Sequence, residues 1–146
     1  MRSQEARARF VAARVGRLGT VGADGTPHLV PVVFVQLSDA VYTAVDHKPK
    51  TTRRLRRLED VAATGRAGLV VDHYEEDWTA LWWVRADGAA EVIEAETAEG
   101  AVALDALVAK YPQYRDRRPA GPLIAIRALR WRWWSAGCPA PAPGIA

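Results

Sequence analysis

The chain has 146 residues, 49% of them hydrophobic, and a formal net charge of +3. That is one domain of ordinary size with enough apolar content to bury a core, which excludes a chain disordered by composition. A single cysteine, Cys138, excludes an internal disulfide framework and any multi-cysteine zinc site.

The polar N-terminus MRSQEARARF has no apolar signal-peptide core after it. Ser3–Val15 is expected to be a helix with Ala6, Phe10, Ala13 and Val11 on its apolar face, stopped by Gly16. Arg17–Val21 is expected as a strand, followed by an Asp-Gly hairpin signal in ADGTP. His28–Gln36 is expected as a second strand buried on both faces, with Pro31 marking a bend or a sheet edge. The apolar run Leu29–Val35 is too short to span a bilayer, so a cytoplasmic protein without a membrane contact is expected. LSDA turns the chain into a third strand, Val41–Val45.

Next comes DHKPKTTRRLRRLEDV, with Lys48, Lys50, Arg53, Arg54, Arg56 and Arg57 free of any acid. The chain has 17 arginines and only three lysines, and two of the three lysines fall here. A compact ammonium suits a point contact to a phosphate oxygen. Thr51 or Thr52 is expected to cap a helix running to about Ala63, with Leu55, Leu58 and Val61 or Ala62 docking and the arginines outside. Pairs such as Arg53 and Arg57 then share a face, and the N–H groups of a helix start add to an anion clamp. A solvated basic helix face is the plainer alternative.

Ala67–Asp72 is expected as a fourth strand, then a polar HYEEDW loop. Thr79–Arg85 and Ala89–Glu94 are expected to form a hairpin across the second Asp-Gly. Ala98–Lys110 is expected as a helix and Leu123–Trp134 as a long last strand. Residues 1–136 are thus expected as one domain and 137–146 as a Pro/Ala-rich tail. Tight turns between most strands argue for a mainly β fold, a small antiparallel barrel with peripheral helices.

Few residues suggest chemistry of their own. There is no P-loop, no G-x-G-x-x-G and no G-x-S-x-G. His28, His47 and His73 are separate, and His73 with Glu75, Glu76 and Asp77 makes no complete metal site, so no metal is expected. Trp82 and Trp83, like Trp133 and Trp134, point to opposite faces of a strand. One of each pair can enter the core. The other needs a cover, a ligand ring or a second subunit. Any enzyme activity would rest on a cofactor.

RVGRLGTVGADGTPHLVPVVFV resembles the opening strands of the pyridoxamine 5′-phosphate oxidase-like split β-barrel family. VYTAVDHKPKTTRRLRRLEDV with AGLVVDHYEEDWTALWWVRADGAAEV resembles its deazaflavin (coenzyme F420)-dependent branch in actinobacteria. The resemblance runs from about Arg14 to Trp134. It implies an antiparallel split β-barrel and a homodimer with cofactor sites at the subunit interface. It places the cofactor phosphate on Lys50, Thr51, Thr52 and Arg53 or Arg54, with Lys48, Pro49 and Arg57 alongside. It implies an oxidoreductase passing a hydride between reduced coenzyme F420 and an unsaturated or conjugated small molecule, and FMN is the alternative cofactor. His47, His73 and Tyr74 are the candidates for the accompanying proton. A polyanion- or nucleic-acid-binding module is the rival without catalysis. It is disfavoured because no tryptophan is interleaved with the basic run.

Overall fold

The computed structural model describes residues 1–46 and 55–137. Three helices, α1 (Ser3–Ala12), α2 (Arg56–Thr64) and α3 (Ala98–Lys110), surround seven strands. The strands are β1 (Gly16–Val21), β2 (Pro27–Val32), β3 (Val35–Leu37), β4 (Ala40–Ala44), β5 (Arg66–His73), β6 (Trp82–Ile93) and β7 (Leu123–Ser135). They form one sheet in the order β2-β1-β5-β6-β7-β4-β3, and every pairing is antiparallel. The architecture is mainly β, as expected.

The two edge strands, β2 and β3, are consecutive in sequence and separated only by Val33 and Phe34. Two residues reach about 7 Å, so the opposite edges must come together and the sheet must curl into a barrel. The edges meet without pairing, so the barrel is split. This junction is pinned. The Thr43 hydroxyl donates to the Val33 carbonyl (2.8 Å), and the Tyr111 hydroxyl accepts from the Phe34 N–H (3.1 Å). The Lys110 ammonium donates to the Phe34 carbonyl (3.0 Å).

Two apolar clusters hold the fold. The barrel interior contains Phe10, Leu18, Phe34, Val61, Leu69, Val71, Val84, Ile124 and Ile126, with Ala6 and Phe10 of α1 and Val61 of α2 reaching into it. The second cluster lies outside the barrel wall, where Leu104 and Leu107 of α3 pack on Val35, Tyr42, Ala44, Leu123 and Ala125. All of β4 and the first four residues of β7 are therefore buried on both faces.

Three expectations need correction. The second strand is two: β2 ends at Val32, and β3 begins at Val35 on the far edge. Nor is β2 buried on both faces; it is an edge strand, as Pro31 suggested, and Leu29 is 76% exposed. Conversely, the second Asp-Gly makes no hairpin, because β6 runs unbroken through Gly88. There the register against β7 shifts between Asp87 and Ala89, with Ala128 at φ 52°. This is a β-bulge, one extra residue on β7. Gly88 is required because an added Cβ would lie 2.1 Å from the Arg127 carbonyl oxygen. An Asp-Gly pair thus signals close backbone approach here rather than a turn. The third correction concerns α2, whose N-cap is Leu55 and not Thr51 or Thr52. Leu55 has no side-chain oxygen to offer, and no side chain caps the helix.

Candidate cofactor site

Of the basic run, Arg56 and Arg57 are described. Lys48, Pro49, Lys50, Thr51, Thr52, Arg53, Arg54 and the neighbouring His47 lie outside the described residues, as does the tail from Cys138 onward. The clamp is therefore read from its two flanks, Asp46 and the start of α2.

Arg57 is half-buried, and burial holds its guanidinium below the ordinary arginine range, opposed by the charges of Asp46 and Tyr114. The Tyr114 hydroxyl donates to Asp46, and burial with this carboxylate pushes the phenol well above its usual range. A cation, a carboxylate and a phenol thus converge where β4 leaves the barrel and α2 begins. A partly desolvated guanidinium is a strong partner for a bound oxyanion.

Arg56 behaves differently. Its Nε donates to Asp60 (3.3 Å), which is only 3% exposed and also accepts from the Thr20 hydroxyl (2.8 Å). Asp60 ties α2 to β1 and holds Arg56 on the helix. The basic run therefore divides: Arg56 is a structural partner of Asp60, and Arg57 faces Asp46 and Tyr114. An aspartate one turn after an arginine signals the Arg56–Asp60 pair locally, whereas the Thr20 partner appears only in the fold.

His73 and Tyr74 are not brought to this end. His73 ends β5, six residues beyond Ala67, which pairs with Thr20; that is roughly 20 Å along an extended strand. Its ring stacks on Trp82 (centroids 6.2 Å apart) and lies 3.0 Å from Glu75, while Tyr74 is 63% exposed. His28 lies on β2 opposite Thr20, with Nδ1 buried and without a hydrogen-bond partner. Among the described residues no group of three or more His, Cys, Asp or Glu could hold a metal ion.

The tryptophans separate as their alternation implied. Trp82, Trp131 and Trp133 pack against the interior cluster. Trp83 and Trp134 are direct cross-strand partners on the opposite face. Among the described residues no helix covers that face over β2, β1, β5 and β6. At its centre Gly19 and Gly68 are paired, with the Leu29 and Asp87 side chains lying against them, in a cleft of about 310 Å³ that Gly88 also lines.

A larger cleft of about 610 Å³, lined by Tyr42, Glu99, Val102 and Arg127, is chemically closed. The Tyr42 hydroxyl donates to Glu99 (2.6 Å), and Arg127 donates to both Glu99 oxygens and to Glu91. These bonds hold the Glu99 carboxyl down at about 2. Each group is satisfied by another, so the cluster fastens α3 to the barrel rather than awaiting a ligand.

A pyridoxamine 5′-phosphate oxidase family model matches residues 3–135, almost the whole described chain. The chain belongs to this family. Solved structures share its fold. A conserved hypothetical protein from Mycobacterium tuberculosis superposes with a TM-score of 0.71 at 19% identity, covering 100% of this chain and 94% of that one. A heme storage protein from Vibrio cholerae gives 0.71 at 16% identity (94% and 96% covered), and an FAD-binding protein from Mesorhizobium loti gives 0.66 at 20% (92% and 96%). No curated protein sequence matches the chain. At these identities the neighbours establish the split-barrel fold alone. No helix among the described residues is long and apolar enough to cross a membrane.

Proposed function

We propose that this member of the family is an oxidoreductase that binds coenzyme F420 and transfers a hydride between the reduced cofactor and an unsaturated or conjugated small molecule. The observation that carries the reading is Arg57, a half-buried guanidinium at the C-terminal end of the basic run. Lys48, Lys50, Thr51, Thr52, Arg53 and Arg54 continue that run in sequence. Its length favours an anionic tail whose charge is spread over several groups, as in the deazaflavin, over the single compact phosphate of FMN.

On this reading the bound cofactor supplies the hydride chemistry, and the chain binds its tail and orients its ring. A second copy of the chain covers the Trp83–Trp134 face, which gives the homodimer. Sedimentation of Trp83→Ser/Trp134→Ser as a monomer would support this; an unchanged dimer would remove it.

The deciding experiment is a side-by-side titration of the purified protein with coenzyme F420, FMN and hemin. The hemin arm is included because one structural neighbour is a heme storage protein. Preference for the deazaflavin is expected, with Lys50→Gln/Arg57→Gln weakening it well beyond tenfold, since charge-assisted hydrogen bonds contribute about 1.5–3 kcal/mol each. Tight FMN binding with none for the deazaflavin moves the protein to the flavin enzymes of the same fold. Saturable binding of hemin alone removes the oxidoreductase reading.

A further inference from the structure

On the outward sheet face, beyond the Trp83–Trp134 pair, four arginines border one cleft of about 450 Å³: Arg66 of β5, Arg85 of β6, and Arg130 and Arg132 of β7. One carboxylate, Asp87, stands among them and is engaged by Arg85 (3.0 Å). Arg66, Arg130 and Arg132 have no ion pair among the described residues. Register makes the arrangement costly. Arg85 and Arg132 are direct cross-strand partners, a like-charge pair that destabilises a sheet.

The backbone is bent to produce this grouping. Before the bulge, Ile124 and Ile126 of β7 point inward. After it, Leu129, Trp131 and Trp133 point inward, so Arg130 and Arg132 face out beside Arg85. The switch depends on Ala128 in the left-handed region, where a side chain costs about 1–2 kcal/mol, and on the absence of a side chain at Gly88. Gly88 and Ala128 also line the cleft.

We propose that this cleft is a binding site for a small multiply charged oxyanion, a phosphate ester or polycarboxylate, distinct from the clamp at α2. Planar guanidiniums on adjacent strands offer forked donor pairs that match such groups, and a bound anion relieves the Arg85–Arg132 repulsion. Charge complementarity selects the occupant: four guanidiniums facing one carboxylate attract an anion and reject a cation.

The test is calorimetric titration of the full chain with pyrophosphate at low ionic strength. The wild type should show a saturable binding event that Arg85→Gln/Arg130→Gln loses, by at least about tenfold in affinity. Arg57→Gln should retain it, which separates this cleft from the α2 clamp. The double variant should melt no lower than wild type without pyrophosphate and should lose the rise in Tm that pyrophosphate confers on wild type. In Arg57→Gln, displacement of pyrophosphate by oligoglutamate identifies polycarboxylates as occupants, and failure to displace identifies phosphates; either result keeps the site. Equal stoichiometry and affinity in wild type and Arg85→Gln/Arg130→Gln overturns it. So does loss of all binding in Arg57→Gln, or binding of oligonucleotide with none of pyrophosphate.

Discussion

The half of the barrel under α3 and the half that faces outward are built from the same sheet on different terms. Under α3, β4 and the start of β7 have apolar residues on both faces, and the polar groups nearby, Tyr42, Glu99, Arg127 and Glu91, are spent on one another. On the open half, one face is core and the other carries Leu29, Trp83 and Trp134 with Arg66, Arg130 and Arg132, which have no ion pair among the described residues. Strand β7 belongs to both halves, and its bulge at Ala128 is the boundary. Saturated contacts mark the part that makes the fold, and unsatisfied ones mark the part available for binding.

Breaking the covered half should have the largest effect. Leu107 is fully buried between α3 and the barrel wall, so Leu107→Ala should cost about 2–5 kcal/mol in urea unfolding. A loss as small as that of a surface substitution would mean that α3 is not part of the cooperative unit. Next comes the boundary. A side chain at Gly88 collides with backbone that has no room to move, so Gly88→Ala should destabilise by about 1–3 kcal/mol or more. Across the same bulge Ala128→Gly should do the opposite, adding about 1 kcal/mol by removing left-handed strain, provided the open half keeps its geometry.

Two pH effects sharpen the comparison further. The Glu99 carboxyl is lowered by Arg127 and Tyr42 from 4.5 to about 2. Its stabilisation is therefore present above pH 4.5 and is lost as pH falls toward 2. Glu99→Gln should flatten the acid limb of the Tm profile in that window. The Lys110 ammonium is lowered by burial, with Arg14 adding, from 10.5 to about 8. The unfolded chain then holds the extra proton between those values, so stability should rise with pH above 8. The raised phenols of Tyr111 and Tyr114 work the other way above pH 10, so the clean window is pH 8–10. Lys110→Met should remove that rise, and as Lys110 is only half-buried the effect should be the smallest of the set.

Local signals were legible where local physics decides. Ala98–Lys110 is a helix over the expected residues, with the Thr97 hydroxyl accepting from the Gly100 N–H as its cap. Pro31 marks an edge strand, and each Trp-Trp pair has one member toward the core. Of the expected anion clamp, Arg57 alone falls among the described residues, beside Asp46 and Tyr114. The division of labour between Arg56 and Arg57 was not legible, because it depends on Thr20 and Asp60, forty residues apart in the chain.

By itself the sequence determined that this is a mainly β barrel with three helices, an edge at Pro31 and a concentrated basic run before α2. Alternation, proline and helical periodicity are properties of neighbours in the chain. The tertiary structure alone decided that His28–Gln36 divides between opposite edges, and that the second Asp-Gly lies within one strand, opposite a bulge of β7. It also decided which residues of RALRWRWW face the core. One extra residue reverses the two-residue alternation of a strand, and only the partner strand shows that it is there.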